Sequence, residues 1–514
     1  MKKVIAVVLS VLAVLGVFAP AAAAYDAGNY PVVYVTGYGP AIYAEKGNAE
    51  SEVYYPTSED IGAIVEEALG PCLKELAAGV VTKNFDKYCD ELYNAIAPIY
   101  EDLVLAPDGT PKDNSGRVEN PEHIFLDYSR FSAGEETFPY DWRLSPEYSA
   151  EELDAFIDTM LRNTGAKKVN IVGRCLGGNV VSAYLENFSE EAKAKVNEIV
   201  MFIPSTEGIN MIGALFAGDI NIDAGKLDVF LDEYMKYKEL IEDPAIKEFL
   251  TVMVTVLEQV KLLNLPVLTV QAFVDAIKDN LVPRLIRRSY GSFPSFWAMV
   301  PDEYLEDALA FVYNTPELQK EYAGTIEKAR SYHDNVMVNA KETTKEMSQY
   351  IDISVISKYN IPAMPIFTDC ANTTDGTAET YLTSFGATTA DFGEVLSEKY
   401  IAGMSEEDKK YLSPDEKIDA STALLPEKTW FIKNSYHDHF PASIDALIET
   451  IFTTVDMTVF TNEAYPQYLD ANVDGAELTP VEGKDIVEKE SFLSLFIRFF
   501  KSFFAVFLKL FNIG

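Results

Sequence analysis

The sequence predicts an α/β protein: a mostly parallel sheet with crossover helices, interrupted by one long helical insertion. Three observations carry this. Short β-branched runs, such as residues 30–35 (YPVVYV) and 168–172, alternate with helix-patterned stretches, the pattern of strand–helix–strand crossovers. Residues 208–350 then turn almost entirely helix-like, rich in Leu, Glu, Lys and Tyr. Finally, Val169-Asn170-Ile171-Val172 runs through Gly173-Arg174-Cys175-Leu176-Gly177-Gly178 straight into a helical pattern, a strand, tight turn and helix in succession.

A chain of 514 residues is long enough for one large α/β domain with a substantial insertion, or for two average domains. Its 48% hydrophobic fraction, with 30 Phe and 29 Tyr, supplies ample core and excludes general disorder. The 80 acidic against 42 basic residues give a formal charge of −38, which excludes nucleic-acid partners, since phosphate backbones need clustered Lys and Arg. Acidity of this size reads as a solvated surface. Met1-Lys2-Lys3, an apolar run over 4–18 and an Ala-rich stretch to Ala24 predict an export signal over 1–24, cut near Tyr25. The expectation is a secreted or cell-surface protein. Cys72, Cys89, Cys175 and Cys370 are too few and too scattered for a disulfide scaffold or a tetrahedral zinc site. Cys72 and Cys89 could pair in an oxidising compartment, which leaves Cys175 free.

Taken in order, the strand over 30–35 ends in Thr36-Gly37-Tyr38-Gly39-Pro40, a loop that must turn sharply. A helix over 58–76 and a strand over 123–128 (HIFLDY) follow. The next helix is predicted over 149–163, with Ser149 and Glu152 as a capping box. Then come the strand 168–172, a helix over 179–187 and the strand 198–203. Strands return at 361–368 and 429–433, and a helix at 443–452. This divides the chain into a core in two parts, 25–207 and 356–460, around a helical cap over 208–355. An acidic linker with breakers at Pro466, Gly475, Pro480 and Gly483 spans 461–490. The tail 491–514 places Ser491, Ser494, Arg498, Lys501 and Lys509 on one stripe against a wide Phe and Leu face. That pattern predicts a helix lying in a membrane interface, the alternative being a helix packed on the protein's own surface.

The glycine spacing around Cys175 is that of a nucleophile elbow, the strained turn of the α/β-hydrolase fold, with Cys in place of Ser. Side chains two positions before or after the nucleophile collide with neighbouring backbone, so Gly stands at both. A cysteine is competent there, because a helix N-terminus and an adjacent His favour the nucleophilic thiolate. The alternative is a buried structural Cys. The acid is expected after the strand 361–368: Asp375, with Asp369 in reserve. The base falls in Ser435-Tyr436-His437-Asp438-His439-Phe440, where His437 is nearer the strand end and His439 is the reserve. His123 and His333 fit no such loop. The two neighbouring His lack a full ligand set elsewhere in the chain, so neither metal nor cofactor is expected. Backbone N–H groups of Tyr38 and Leu176 are the expected oxyanion hole.

These pieces resemble the lecithin:cholesterol acyltransferase family and its phospholipid:diacylglycerol acyltransferase branch. The likeness rests on Tyr34-Val35-Thr36-Gly37-Tyr38-Gly39, Tyr140-Asp141-Trp142-Arg143, Gly173 to Gly178, and Ala214-Leu215-Phe216-Ala217-Gly218-Asp219. It continues through Arg288-Ser289-Tyr290-Gly291-Ser292-Phe293-Pro294-Ser295, Val300-Pro301, Asp375-Gly376-Thr377 and His437, over most of residues 30–452. The resemblance implies acyl transfer from a lipid ester through a covalent acyl-enzyme under a helical cap. Cys175 departs from it, since the family uses Ser. A Cys in such a box is similar to the polyhydroxyalkanoate synthases, which load acyl groups as thioesters; those are cytoplasmic, so this likeness concerns chemistry and not substrate. Two rival expectations are an inactive lipid-binding protein on the same fold and a thiol-dependent amidase or peptidase.

Overall fold

The computed structural model describes residues 30–54 apart from 40 and 49, 70–117 apart from 73, 135–220, 267–363, 367–471 and 477–483. An eight-stranded sheet organises them. Its strands are β1 (Val32–Val35), β2 (Glu135–Thr137), β3 (Val169–Arg174), β4 (Val196–Phe202), β5 (Asp352–Tyr359), β6 (Thr429–Lys433), β7 (Tyr468–Asp470) and β8 (Thr479–Pro480). They lie in the order β8-β7-β6-β5-β4-β3-β1-β2, and every neighbouring pair is parallel except β7 with β8. From β1 the chain runs outward to β2, and from β3 it runs the other way through β4 to β5. The carboxyl ends of β1 and β3 therefore flank a switch in winding direction, where open α/β sheets hold their ligands.

Both faces of the sheet are covered, so its strands read as near-continuous apolar runs. The period of two divides β1 between two cores. Val33 and Val35 join one cluster with Leu153, Ile157, Val181 and Leu185, while Val32 and Tyr34 join another with Val200, Ile444, Leu447 and Ile451. The first face is covered by α1 (Pro146–Thr164) and α2 (Leu176–Asn187), the second by α3 (Ala442–Thr453).

The inserted helices, among them Val282–Arg287, Leu305–Val312, Ala323–Tyr332 and Ala340–Met347, share the first cluster with the sheet through Phe293, Trp297, Leu305 and Tyr332. The insertion is thus continuous with the core, and its described elements are helices; the end expected for it differs from the one observed. The boundary at 355 cuts into β5, which begins at Asp352 and is buried from Ile353 onward. Ser354, Ser357 and Lys358 interrupt its apolar run and conceal it in the sequence. Of the strand expected over 361–368, the described residues form Ile361–Pro362, paired with Thr373–Thr374, while 364–366 lie outside the described residues.

Two further expectations are corrected. The helix expected from Ser149 starts one turn earlier, because Ser145 Oγ accepts the Glu147 N–H at 3.3 Å and Pro146 takes the first helical position. The acidic linker 461–490 is partly sheet: Tyr468 and Leu469 are buried in β7, and β8 closes that edge with a two-residue strand ending in proline. The export signal 1–24, the strand 123–128, residues 221–266 of the cap and the tail helix 491–514 lie outside the described residues.

Candidate active site

Cys175 sits between β3 and α2 with φ 51° and ψ −121°, a strained backbone for a residue with a Cβ. Its N–H donates to Phe202 O at 3.1 Å and its carbonyl accepts from Gly178 N at 2.8 Å and Ser205 N at 3.2 Å. These bonds over-determine the bend. A Cβ built on Gly177 would stand 2.0 Å from Val35 O and 2.7 Å from Thr36 O, so only glycine lets α2 start against the end of β1. Leu176, the expected oxyanion donor, is the first residue of α2, where backbone N–H groups have no partner inside the helix.

The other expected donor, Tyr38, lies in the loop after β1, and that loop reaches the sulfur. A Cβ on the preceding Gly37 would come within 3.6 Å of Cys175 Sγ. Two interactions hold the loop. Tyr140 Oη donates to Thr36 O at 2.6 Å. The Tyr38 ring meets Trp142 at 4.7 Å and Phe296 of the insertion at 5.4 Å, both edge-on. Burial pushes the Tyr140 phenol up, and the nearby Cys175 adds to that. The Tyr140-Asp141-Trp142-Arg143 motif thus builds the wall behind the loop. Arg143, fully buried, binds Asp141 through Nη2 at 2.7 Å and Leu103 O through Nη1 at 3.0 Å.

His437 follows β6 and Asp375 follows the Thr373–Thr374 strand. His437 Nδ1 lies 2.7 Å from Asp375 Oδ2, and the His437 N–H donates to Asp375 O at 2.7 Å. Asp375 Oδ1 accepts from Ala378 N at 2.7 Å and Thr377 N at 3.0 Å. Burial alone raises the Asp375 carboxyl, but the His437 imidazolium, its hydrogen bond, the Ala378 N–H and the Lys358 ammonium together hold it below its ordinary value. Burial alone lowers the imidazole. Against it, the Asp375 carboxylate and Cys175, the latter also through a side-chain hydrogen bond, raise His437 well above its ordinary value. Cys175, His437 and Asp375 are therefore brought together.

The reserve residues are not. Asp369 is exposed and accepts from Asn372 Nδ2 at 3.3 Å. His439 Nδ1 is buried without a hydrogen-bond partner among the described residues, and burial, then the Lys358 ammonium, lowers its pKa. His333 is buried in the insertion between Asp302 Oδ1 at 3.2 Å and Trp297 O at 3.0 Å. Cys72 and Cys89 are free and buried, so the pairing considered for them is not made.

Two residues escaped the sequence reading. Tyr140 stood in a recognised motif without a role, and Lys358 is a charge inside a buried strand, which is itself the signal that could have found it.

The model of the family described as lecithin:cholesterol acyltransferase matches residues 133–385. That span contains Cys175 and Asp375. The chain is also similar to a poly(3-hydroxyalkanoate) polymerase subunit of Rhizobium etli, 26% identical over 124 residues, a match covering 22% of this chain and 17% of that protein.

Proposed function

We propose that this chain, whose residues 133–385 match the lecithin:cholesterol acyltransferase family model, transfers or hydrolyses the acyl groups of lipid esters through a thioester on Cys175. The observation that carries this is the 2.7 Å contact of His437 Nδ1 with Asp375 Oδ2, on an imidazole whose pKa the neighbouring Cys175 helps to raise. Asp375 fixes the tautomer that leaves Nε2 for the sulfur. The Cys175 thiolate attacks the ester carbonyl, forming a C–S bond and an oxyanion that the Tyr38 and Leu176 N–H groups stabilise. Collapse breaks the C–O bond, and His437 Nε2–H protonates the departing alkoxide. Water or an alcohol then gives its proton to His437 and takes the acyl group, releasing the thiolate. The likeness to a polymerase of hydroxyalkanoates supports a hydroxyl acceptor as well as water.

The test is turnover of p-nitrophenyl esters of several chain lengths by the wild type and Cys175→Ala. Equal rates would remove Cys175 from the mechanism. An acyl adduct on Cys175, detected by intact mass after exposure to phospholipid, identifies the donor class. The proposal also takes 1–24 as an export signal and 491–514 as a membrane-surface helix. Mass analysis of the exported chain's N-terminus and co-sedimentation with anionic vesicles, compared with a chain ending at residue 490, test these two points.

A further inference from the structure

Lys358, the penultimate residue of β5, is 0% exposed. A buried ammonium is tolerated only if its donors are filled. Nζ donates to Tyr436 O at 2.8 Å, His437 O at 3.2 Å and His439 O at 2.8 Å. Three carbonyls of the turn that carries His437 thus converge on one cation, and the turn cannot re-form elsewhere without abandoning a charge in the interior.

The same cation reaches the rest of the site. It lies 4.7 Å from the Phe440 ring centre and 5.2 Å from that of Phe202. Phe440 carries the Arg174 guanidinium at 4.2 Å, next to the nucleophile, and Phe202 O accepts the Cys175 N–H. Toward the acid, Thr380 Oγ1 donates to Lys358 O at 2.9 Å, and the ammonium is one of the charges that offset the burial of Asp375. Among the described residues, the ionisable groups around it include Asp375 from the acid loop, Tyr436, His437 and His439 from the turn, and Arg174 across the Phe440 ring.

We propose that Lys358 is a positioning residue, a cationic clamp on the 436–439 turn that holds the His437 ring between Asp375 and Cys175 without touching the reacting atoms. The proposal rests on the reading of Cys175, His437 and Asp375 as the reacting groups. A displacement of about 1 Å at such a site costs on the order of 10²-fold in rate. Losing the clamp moves the imidazolium away from the sulfur, so thiolate formation shifts to higher pH.

The experiment compares the full chain with Lys358→Met and Lys358→Arg by thermal unfolding, by kcat and KM on a p-nitrophenyl ester, and by the pH profile of Cys175 alkylation with iodoacetamide, read on the Cys175 peptide by mass. Lys358→Met should unfold cooperatively, lose about 10²-fold in kcat with little change in KM, and alkylate with an acid limb displaced upward by about one pH unit. Lys358→Arg should recover part of both. An unshifted limb in Lys358→Met overturns the clamp, whether or not stability falls. Should Lys358→Met not fold, Phe440→Leu replaces it: opening the ammonium to water weakens the clamp, and an unshifted limb there overturns the proposal equally. Alkylation needs no substrate. A wild type without ester turnover whose limb still shifts in the variants fails the proposed function and keeps the clamp.

Discussion

Gly37 and Cys175 face each other so closely that a methyl group on Gly37 would stand 3.0 Å from Cys175 Cβ. The loop of the expected oxyanion donor and Cys175 are therefore packed as one unit. Gly37→Ala should leave the sheet intact but push the loop off the sulfur. Ester turnover should fall about 10²–10³-fold, the size of a lost oxyanion donor, with a stability loss of about 1–3 kcal/mol from overpacking. Steady-state kinetics and a melting curve check both.

Tyr140→Phe removes the hydrogen bond to Thr36 O and leaves that carbonyl beside an apolar ring. The expected stability loss is about 1–3 kcal/mol. A kcat reduced by about tenfold at unchanged KM would mark the loop, rather than substrate binding, as what the phenol holds.

Asp375→Asn presents an amide to His437 Nδ1 and favours the wrong tautomer. The corresponding change in a serine protease triad drops kcat about 10⁴-fold, and a loss of that order is expected here. The variant should fold, because the N–H groups of Thr377 and Ala378 still find an oxygen. Single-turnover acylation monitored by mass separates this effect from acyl-enzyme breakdown.

Glu198 on β4 stands in register with Asp352 on β5. Burial pushes its carboxyl up to about 8, with the Asp352 charge adding and Lys428 opposing. A carboxyl raised in the fold stabilises the native state fully below its ordinary value near 4.5, and that contribution is lost as pH rises through about 8. Glu198→Gln should therefore match the wild type near pH 4 and gain a melting advantage of a few degrees by pH 9. Paired melting curves across that range give the answer, and a constant difference would refute it.

How much was legible follows from which signals are local. The elbow is a matter of adjacent residues, so Gly173, Cys175 and Gly177 declared it. His437 and Asp375 were legible because each sits in a polar loop after a strand and the order nucleophile, acid, base is fixed by the fold. What stayed hidden depends on tertiary partners. β5 was missed because Ser354, Ser357 and Lys358 break its apolar run, and the contacts that satisfy the last two are ones no pattern records: Ser357 Oγ lies 2.6 Å from Thr383 Oγ1. β7 was masked by acidic neighbours, since a three-residue edge strand gives no periodicity.

The groups proposed to react enter the chain far apart. His437 follows Cys175 by 262 positions (437 − 175), and β6 must dock beside β5 before its turn can reach the sulfur. A growing chain therefore displays the thiol 262 residues before the imidazole proposed to activate it is made (437 − 175). On the proposed chemistry, a fragment that stops before His437 stays chemically quiet however well its first strands have paired.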